Sequence, residues 1–182
     1  ALFNLERYLK TYPQAKDIIY AHYLIAMCYY ETIEDEKRDS GPLIRAKKKF
    51  NFIITNYPNT DFSLDSKFKV ALIEDILASK EMYLGRHYIK KNKWIAAMNR
   101  FKYVLENCGQ TIFVEEALHR LVEIYYKIGL LEESQKYANL LGYNYLSGEW
   151  YKKSYIVFNK DYEEKSKKDI KKEKKGVIRK FK

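Results

Sequence analysis

The side chains best suited to chemistry in this sequence are its 3 histidines. His22, His87 and His119 are spread along the chain, and Glu115 stands four residues before His119 on one face of a predicted helix. A zinc or hydrolytic site needs three or more such groups brought together, and no second ligand motif stands nearby. We therefore interpret the histidines as structural.

The 2 cysteines point the same way. Cys28 and Cys108 stand 80 positions apart without a CxxC motif, so they predict neither a disulfide framework nor a metal site. The sequence also contains no phosphate-binding loop, no dinucleotide fingerprint and no nucleophile elbow. We predict no catalytic, cofactor-binding or metal-binding residue, and a protein that is not an enzyme.

Composition favours long helices. The 182 residues include only 7 Gly and 3 Pro against 47% hydrophobic residues, and the 18 Tyr suit helix–helix seams because the ring is buried while the hydroxyl stays wet. No run of 18 apolar residues predicts a membrane span. The opening "ALFNLERYLKTYP" reads as the interior of a helix, so we expect the natural protein to begin further upstream.

Four segments of the chain align when the ends of predicted helices serve as the anchor. The turn positions are Pro13, Pro58, Gly109 and Leu146. Twelve residues before each turn stands a small residue: Ala1, Ala46, Ala97 and Ser134. Eight residues before each turn stand Leu5, Phe50, Phe101 and Ala138. Proline and glycine end helices, and small residues let two helices approach closely, so the pattern predicts stacked helical hairpins.

The first helices of these hairpins carry matching residues. In the third copy, Leu84, Gly85 and Tyr88 occupy the slots of the tetratricopeptide pattern, with Asn92 at the turn. The anchors lie 45, 51 and 37 residues apart, where this repeat class shows about 34, so the hairpins are elongated. We predict an all-α fold: a tetratricopeptide-type α-solenoid of antiparallel helix hairpins with a long C-terminal helix.

Periodicity and helix breakers predict eight helices. Their expected ranges are 1–11, 16–33, 44–56, 63–91, 94–107, 112–128, 131–142 and 149–175. Ser63 and Thr111 are the expected N-caps of the fourth and sixth helices. The expected domains are a repeat body at 1–158, of about three and a half repeats, and a basic extension at 159–182.

The net charge of +10 is concentrated in that extension. Residues 159–182 hold 11 Lys/Arg against 5 Asp/Glu, a net of +6. A lysine-rich tail is commonly just a solvated segment, whereas a functional interpretation is binding to an anionic membrane or nucleic-acid surface. We keep the second interpretation as an alternative and expect no nucleic-acid partner.

Three further features have both a structural and a functional interpretation. The charged stretch 33–42 is expected to be a polar helix connection, although such a loop can also be a recognition element. Trp94 is expected in the core. Arg100 stands beside the packed face of its helix, where it can either brace a carboxylate or offer two hydrogen bonds to a partner.

The stretch "LASKEMYLGRHYIKKNKWIAAMNRF" resembles the BamD family, tetratricopeptide lipoproteins of the machine that assembles β-barrels in the outer membrane. The family words L-A-x-x-E, R/E-x-Y and W-x-A-x-x-N-R are matched by Leu77, Ala78, Glu81, Arg86, Tyr88, Trp94, Ala96, Asn99 and Arg100. Similarity also covers "KKKFNFIITNYPNTDF", the charged loop around Arg38 and Asp39, and "LGYNYLSGEWYKKSY", where Leu146 replaces the family's proline. The resemblance extends over roughly residues 1–158.

The resemblance implies a non-catalytic scaffold at the periplasmic face of the outer membrane, lipid-anchored at a cysteine upstream of Ala1. Its implied partners are the periplasmic domain of BamA, unfolded outer-membrane protein precursors and other assembly lipoproteins. Arg100 is the residue carried over as the contact with BamA, with Asn99 supporting it. The lysine-rich extension has no role in the family pattern. Another envelope tetratricopeptide adaptor lipoprotein remains an alternative.

Overall fold

The computed structural model describes residues 1–31, 40–146 and 148–159. All regular elements in these ranges are α-helices, which confirms the all-α prediction. They are α1 (Leu2–Thr11), α2 (Ile18–Glu31), α3 (Gly41–Asn56), α4 (Asp61–Lys90), α5 (Trp94–Asn107), α6 (Val114–Lys127), α7 (Leu131–Asn144) and α8 (Glu149–Phe158). The described residues of 1–84 and 106–113 form one compact unit, and those of 85–105 and 114–182 form another.

The first unit is built on the hairpin of α2 and α3, which pack along each other. Phe50 of α3 is completely buried, and its ring lies against the rings of Tyr23 and Tyr30 on α2, with centroids 6.0 Å and 6.3 Å away. Ala46, one turn earlier, is also completely buried. The repeat pattern predicted both roles: a small residue for close approach and a large one to fill the space beside it.

The second unit has α6 at its centre, in contact with α7 and α8. Ser134 on α7 is completely buried, and its hydroxyl donates a hydrogen bond of 2.9 Å to the carbonyl of Val122 on α6. Because the small side chain lets the helices approach this closely, Tyr125 and Tyr137 stack with their ring centroids 5.4 Å apart. Ala97, the third copy of the small position, is likewise completely buried.

Two turns, at Asn92 and Gly129, close their helices in the left-handed conformation, and the turn at Asn92 was predicted from the repeat pattern. Their φ angles are 56° and 85°. In each turn the next amide donates back to the helix: Lys93 to the carbonyl of Tyr88 and Leu130 to that of Tyr125, both at 2.9 Å. This is the Schellman arrangement, which satisfies carbonyls that a helix end leaves without partners.

Several local predictions are wrong. Helix α4 begins at Asp61, and its capping hydroxyl belongs to Thr60, which accepts a hydrogen bond from the amide of Ser63 at 3.2 Å. Thr111 does not cap α6, because its hydroxyl donates to the carbonyl of Cys108 within the turn. Ala1, the first copy of the small position, is exposed.

The end of the last described helix also differs from the expectation. Helix α8 ends at Phe158, and Asn159 has a non-helical conformation (φ −129°, ψ 88°), where a helix through residue 175 was predicted. Residues 160–182, most of the predicted basic extension, lie outside the described residues.

Candidate partner-binding site

A shallow depression of about 200 Å³ lies where the C-terminal part of α4 meets α5. Tyr88 from α4 and Ala96, Asn99, Arg100 and Tyr103 from α5 line it. Asn99 is exposed and Arg100 is half-buried. The structure therefore brings the two residues singled out in the sequence into one depression.

The chemistry of this depression suits a carboxylate. A guanidinium offers two parallel N–H donors, and an amide and phenol hydroxyls add further donors. The side chain of Ala96 is small, so it leaves space beside Arg100 for an incoming group. An acidic side chain of a partner protein is the simplest group that this donor set fits.

A bidentate ion pair joins α4 to α6 in the same unit. Arg86 donates from Nε to Oε1 of Glu116 at 2.9 Å and from Nη2 to Oε2 at 2.6 Å. The Glu116 side chain is only 10% exposed, and Arg120 also donates to it, at 3.3 Å. The sequence left Arg100 with two interpretations, bracing a carboxylate or contacting a partner, and it did not indicate the pair of Arg86 and Glu116. The signal was present, because Arg86 occupies the R-x-Y slot of the resemblance, but its partner on another helix cannot be found by spacing.

The electrostatics of the pair show why the carboxylate stays charged. Burial by itself raises the pKa of Glu116, but the hydrogen bonds and charges of Arg86 and Arg120 outweigh that effect and hold the pKa below its ordinary value. The hydrogen bond to Glu116 in turn raises the pKa of Arg86. A buried carboxylate satisfied in this way ties two helices together.

A second polar group lies between α6 and α8. His119 is 3% exposed, its Nδ1 lies 2.8 Å from Oγ of Ser154, and its Nε2 lies 3.5 Å from Glu123. The order carboxylate, imidazole and hydroxyl is that of a hydrolytic triad. Ser154, however, is only 1% exposed, so a substrate cannot reach the hydroxyl. The group acts as a hydrogen-bonded link between the two helices.

Trp150 on α8 packs against this link. Its ring centroid is 5.2 Å from that of His119, and the cations of Arg120 and Lys153 lie 5.4 Å and 3.9 Å from the ring centroid. Cations held over an indole face contribute about 0.5–1 kcal/mol each at exposed sites. Trp94 makes a similar contact with Lys127 at 4.5 Å, and it is half-buried, so its expected place in the core is wrong.

We expect acid to weaken the α6–α8 region through Glu123. Burial raises the pKa of this carboxyl, but hydrogen bonds and charges from His119 and Arg120 outweigh burial and lower the pKa from 4.5 to about 2. A depressed carboxyl pKa stabilises the fold above the unfolded value of 4.5, and this contribution is lost as the pH falls toward 2.

The measurement is urea unfolding between pH 7 and pH 2.5. For the wild-type protein, we expect the urea concentration at the unfolding midpoint to decrease as the pH is lowered below 4.5. For the Glu123→Gln variant, we expect a smaller decrease of that midpoint over the same pH range. Parallel pH profiles for the two proteins would show that Glu123 makes no such contribution.

The remaining sequence-based interpretations concern the charged loop, metal binding and membrane spans. Most of the charged loop 33–42, including Arg38 and Asp39, lies outside the described residues. Within the described residues, no three His, Cys, Asp or Glu side chains are grouped closely enough to hold a metal ion. In the same ranges, no helix is both long and apolar enough to cross a bilayer.

Comparison with known proteins adds to this geometry. The model of the YfiO family, described as outer membrane lipoproteins, matches residues 1–141. The chain is 43% identical over 151 residues to the outer membrane protein assembly factor BamD of Rickettsia prowazekii, covering 83% of this chain and 60% of that protein. It is 39% identical over 159 residues to BamD of Caulobacter vibrioides, covering 87% of this chain and 52% of that protein.

The chain thus spans between half and two thirds of the length of these relatives. The family match covers helices α1 to α6 and most of α7, including Arg86, Asn99 and Arg100. The tetratricopeptide-like helical fold and the resemblance carried by the W-x-A-x-x-N-R word agree with it. The chain belongs to the YfiO family of outer membrane lipoproteins.

Proposed function

We propose that the chain is a non-catalytic scaffold of outer-membrane β-barrel assembly that binds the periplasmic domain of BamA and unfolded barrel precursors. Its similarity to proteins named outer membrane protein assembly factors supports the proposal. In this proposal, the whole protein lies at the periplasmic face of the outer membrane and is tethered there through an N-terminal lipid. Residues 1–158 form the binding body, and 159–182 form a basic extension without an assigned role.

The observation that carries the proposal is the donor set around Arg100. Asn99 and Arg100 lie in one depression with two tyrosines, on adjoining parts of α4 and α5. In this proposal, Arg100 receives a carboxylate of BamA and Asn99 supplies a neighbouring hydrogen bond.

Charge reversal at this position tests the proposal. Arg100→Glu is expected to weaken binding to the periplasmic domain of BamA at least tenfold, because an attractive contact becomes a repulsive one. Losing one partner of a buried interfacial charge pair costs about 2–5 kcal/mol, and about 1.4 kcal/mol corresponds to a factor of ten. Titration of the labelled domain gives both dissociation constants.

Arg7→Glu is the matched control, because it changes the net charge by the same amount at an exposed position of α1. Circular dichroism should show equal helicity for wild type and both variants. If Arg100→Glu binds as tightly as Arg7→Glu, Arg100 is not the contact.

A further inference from the structure

One face of α4 in the first unit exposes a row of large apolar side chains. Leu64, Phe68 and Leu72 are 59%, 63% and 49% exposed. They are four residues apart, so they follow one another along the same side of the helix. These three residues are called the α4 stripe from here on.

The α4 stripe is exposed although its helix is firmly packed. Ser63, Ser66 and Ile73 are completely buried on the other side of the same turns. Tyr23 of α2 also donates a hydrogen bond of 2.6 Å to Asp65, which fixes the rotation of α4 against its neighbour. The three apolar side chains are therefore presented to solvent by a fixed helix.

Acidic residues mark both ends of the α4 stripe. Asp61 stands one turn before Leu64, and Asp75 stands one turn after Leu72; both are exposed. Lys67 is exposed as well, but it projects about 100° around the helix from Phe68. A ligand with an apolar middle and basic ends complements this arrangement.

The spacing of the α4 stripe fits an extended chain. A separation of four residues along a helix is about 6.0 Å at 1.5 Å per residue. Alternate side chains of a β-strand, which point to one face, are about 6.6 Å apart. Three consecutive side chains on one face of a strand thus lie nearly opposite the three side chains of the stripe.

We propose that the α4 stripe binds a single extended segment that alternates apolar and polar residues and carries a basic residue at each end. This inference rests on the proposed function, because strands of outer-membrane barrels have that alternation. The apolar face of the segment packs on Leu64, Phe68 and Leu72. Its terminal lysines or arginines lie near Asp61 and Asp75.

The test uses the full chain and a nine-residue fluorescent peptide. The peptide has leucine, phenylalanine and valine at its third, fifth and seventh positions, serine or threonine between them, and lysine at both ends. Binding is measured by anisotropy. The triple variant Leu64→Ala, Phe68→Ala, Leu72→Ala is expected to bind at least tenfold more weakly than wild type. Asp61→Lys combined with Asp75→Lys is expected to weaken binding severalfold, with the difference disappearing at high salt.

Ile95→Ala is the matched control, because Ile95 is 72% exposed on α5 and lies outside the stripe. Two control peptides keep the composition: one has the apolar residues adjacent, and the other places them at the second, fifth and eighth positions, a spacing that a helix brings to one face. The inference is wrong if all three peptides bind equally or if the peptide with helical spacing binds more tightly. It is also wrong if Ile95→Ala loses as much affinity for the alternating peptide as the triple variant does.

Measuring the binding of an unfolded barrel precursor distinguishes a failure of this inference from a failure of the proposed function. If the precursor binds wild type and the triple variant equally, the chain receives precursors elsewhere and the stripe is wrong while the scaffold function stands. If the precursor does not bind wild type, precursor binding itself is wrong.

Discussion

Arg86→Ala is expected to lower the free energy of unfolding by about 3 kcal/mol. The substitution leaves the carboxylate of Glu116, whose side chain is only 10% exposed, without its bidentate partner. Breaking a buried ion pair from one side costs about 3–5 kcal/mol. We expect the lower end of that range, because Arg86 itself is 42% exposed and Arg120 still reaches Glu116 at 3.3 Å. Urea unfolding at pH 7 measures the loss.

A double-mutant cycle shows whether the loss of stability comes from the carboxylate of Glu116 being left without its partner. Glu116→Gln in the Arg86→Ala background removes that charge, so it should restore part of the stability. Arg45→Ala is a suitable control, because this arginine on α3 is exposed and, among the described residues, its guanidinium lies 6.0 Å from the ring centroid of Tyr29. A loss below 1 kcal/mol for Arg86→Ala, or no recovery in the double variant, contradicts the assigned role of the pair.

Gly85→Ala is expected to lower the free energy of unfolding by about 2 kcal/mol, although alanine is the better helix former. A methyl group at Gly85 meets three ring atoms of Phe101, at 2.6, 2.6 and 3.1 Å. Phe101 is completely buried, so its ring cannot move away without displacing its neighbours. Overpacking a core costs about 1–3 kcal/mol, and we expect the upper end of that range at this contact, so a net loss of about 2 kcal/mol remains after the helix-propensity gain of about 1 kcal/mol.

Thermal and urea unfolding of Gly85→Ala measure this loss, and a second substitution tests its cause. Phe101→Leu shortens the side chain that the new methyl group meets, so Gly85→Ala should cost at least 1 kcal/mol less in that background. Gly142→Ala is the control: its methyl group meets the ring of Tyr151 at 2.8 Å, but Tyr151 is half-exposed and can shift. If Gly85→Ala stabilises the protein, the close approach of α4 and α5 at this point is wrong.

The sequence predicted well those parts of the fold that depend on local periodicity. The small and large positions of the repeat, such as Ala46 with Phe50 and Ala97 with Phe101, are completely buried in the structure. The turn at Asn92 was also predicted, from its slot in the repeat pattern. These features are encoded within a few turns of helix, so a single sequence reveals them.

Contacts between distant helices were not predictable in this way. Arg86 and Glu116 are 30 positions apart, and His119 and Ser154 are 35 apart. Nothing in the spacing of either pair marks the partners, since each contact depends on how its two helices pack. The same limit explains the N-caps: Ser63 is buried inside α4, because its helix starts two residues earlier, at Asp61.

The role of Arg100 stands between these two cases. Its place next to Asn99 in one depression follows from the helix, but the partner proposed for the depression is a separate protein. The family match and the sequence identities of 43% and 39% to two BamD proteins support the proposal that Arg100 contacts BamA. Binding measurements with the Arg100→Glu variant test it.

Titrating the wild-type chain with the purified periplasmic domain of BamA in a calorimeter shows whether the two proteins bind. We expect a saturable heat of binding, exothermic or endothermic, with one domain bound per chain and a micromolar or lower dissociation constant. If no binding is detected with both proteins at concentrations 100-fold above that dissociation constant, while the helical content of the chain is intact, the proposed binding to BamA is wrong.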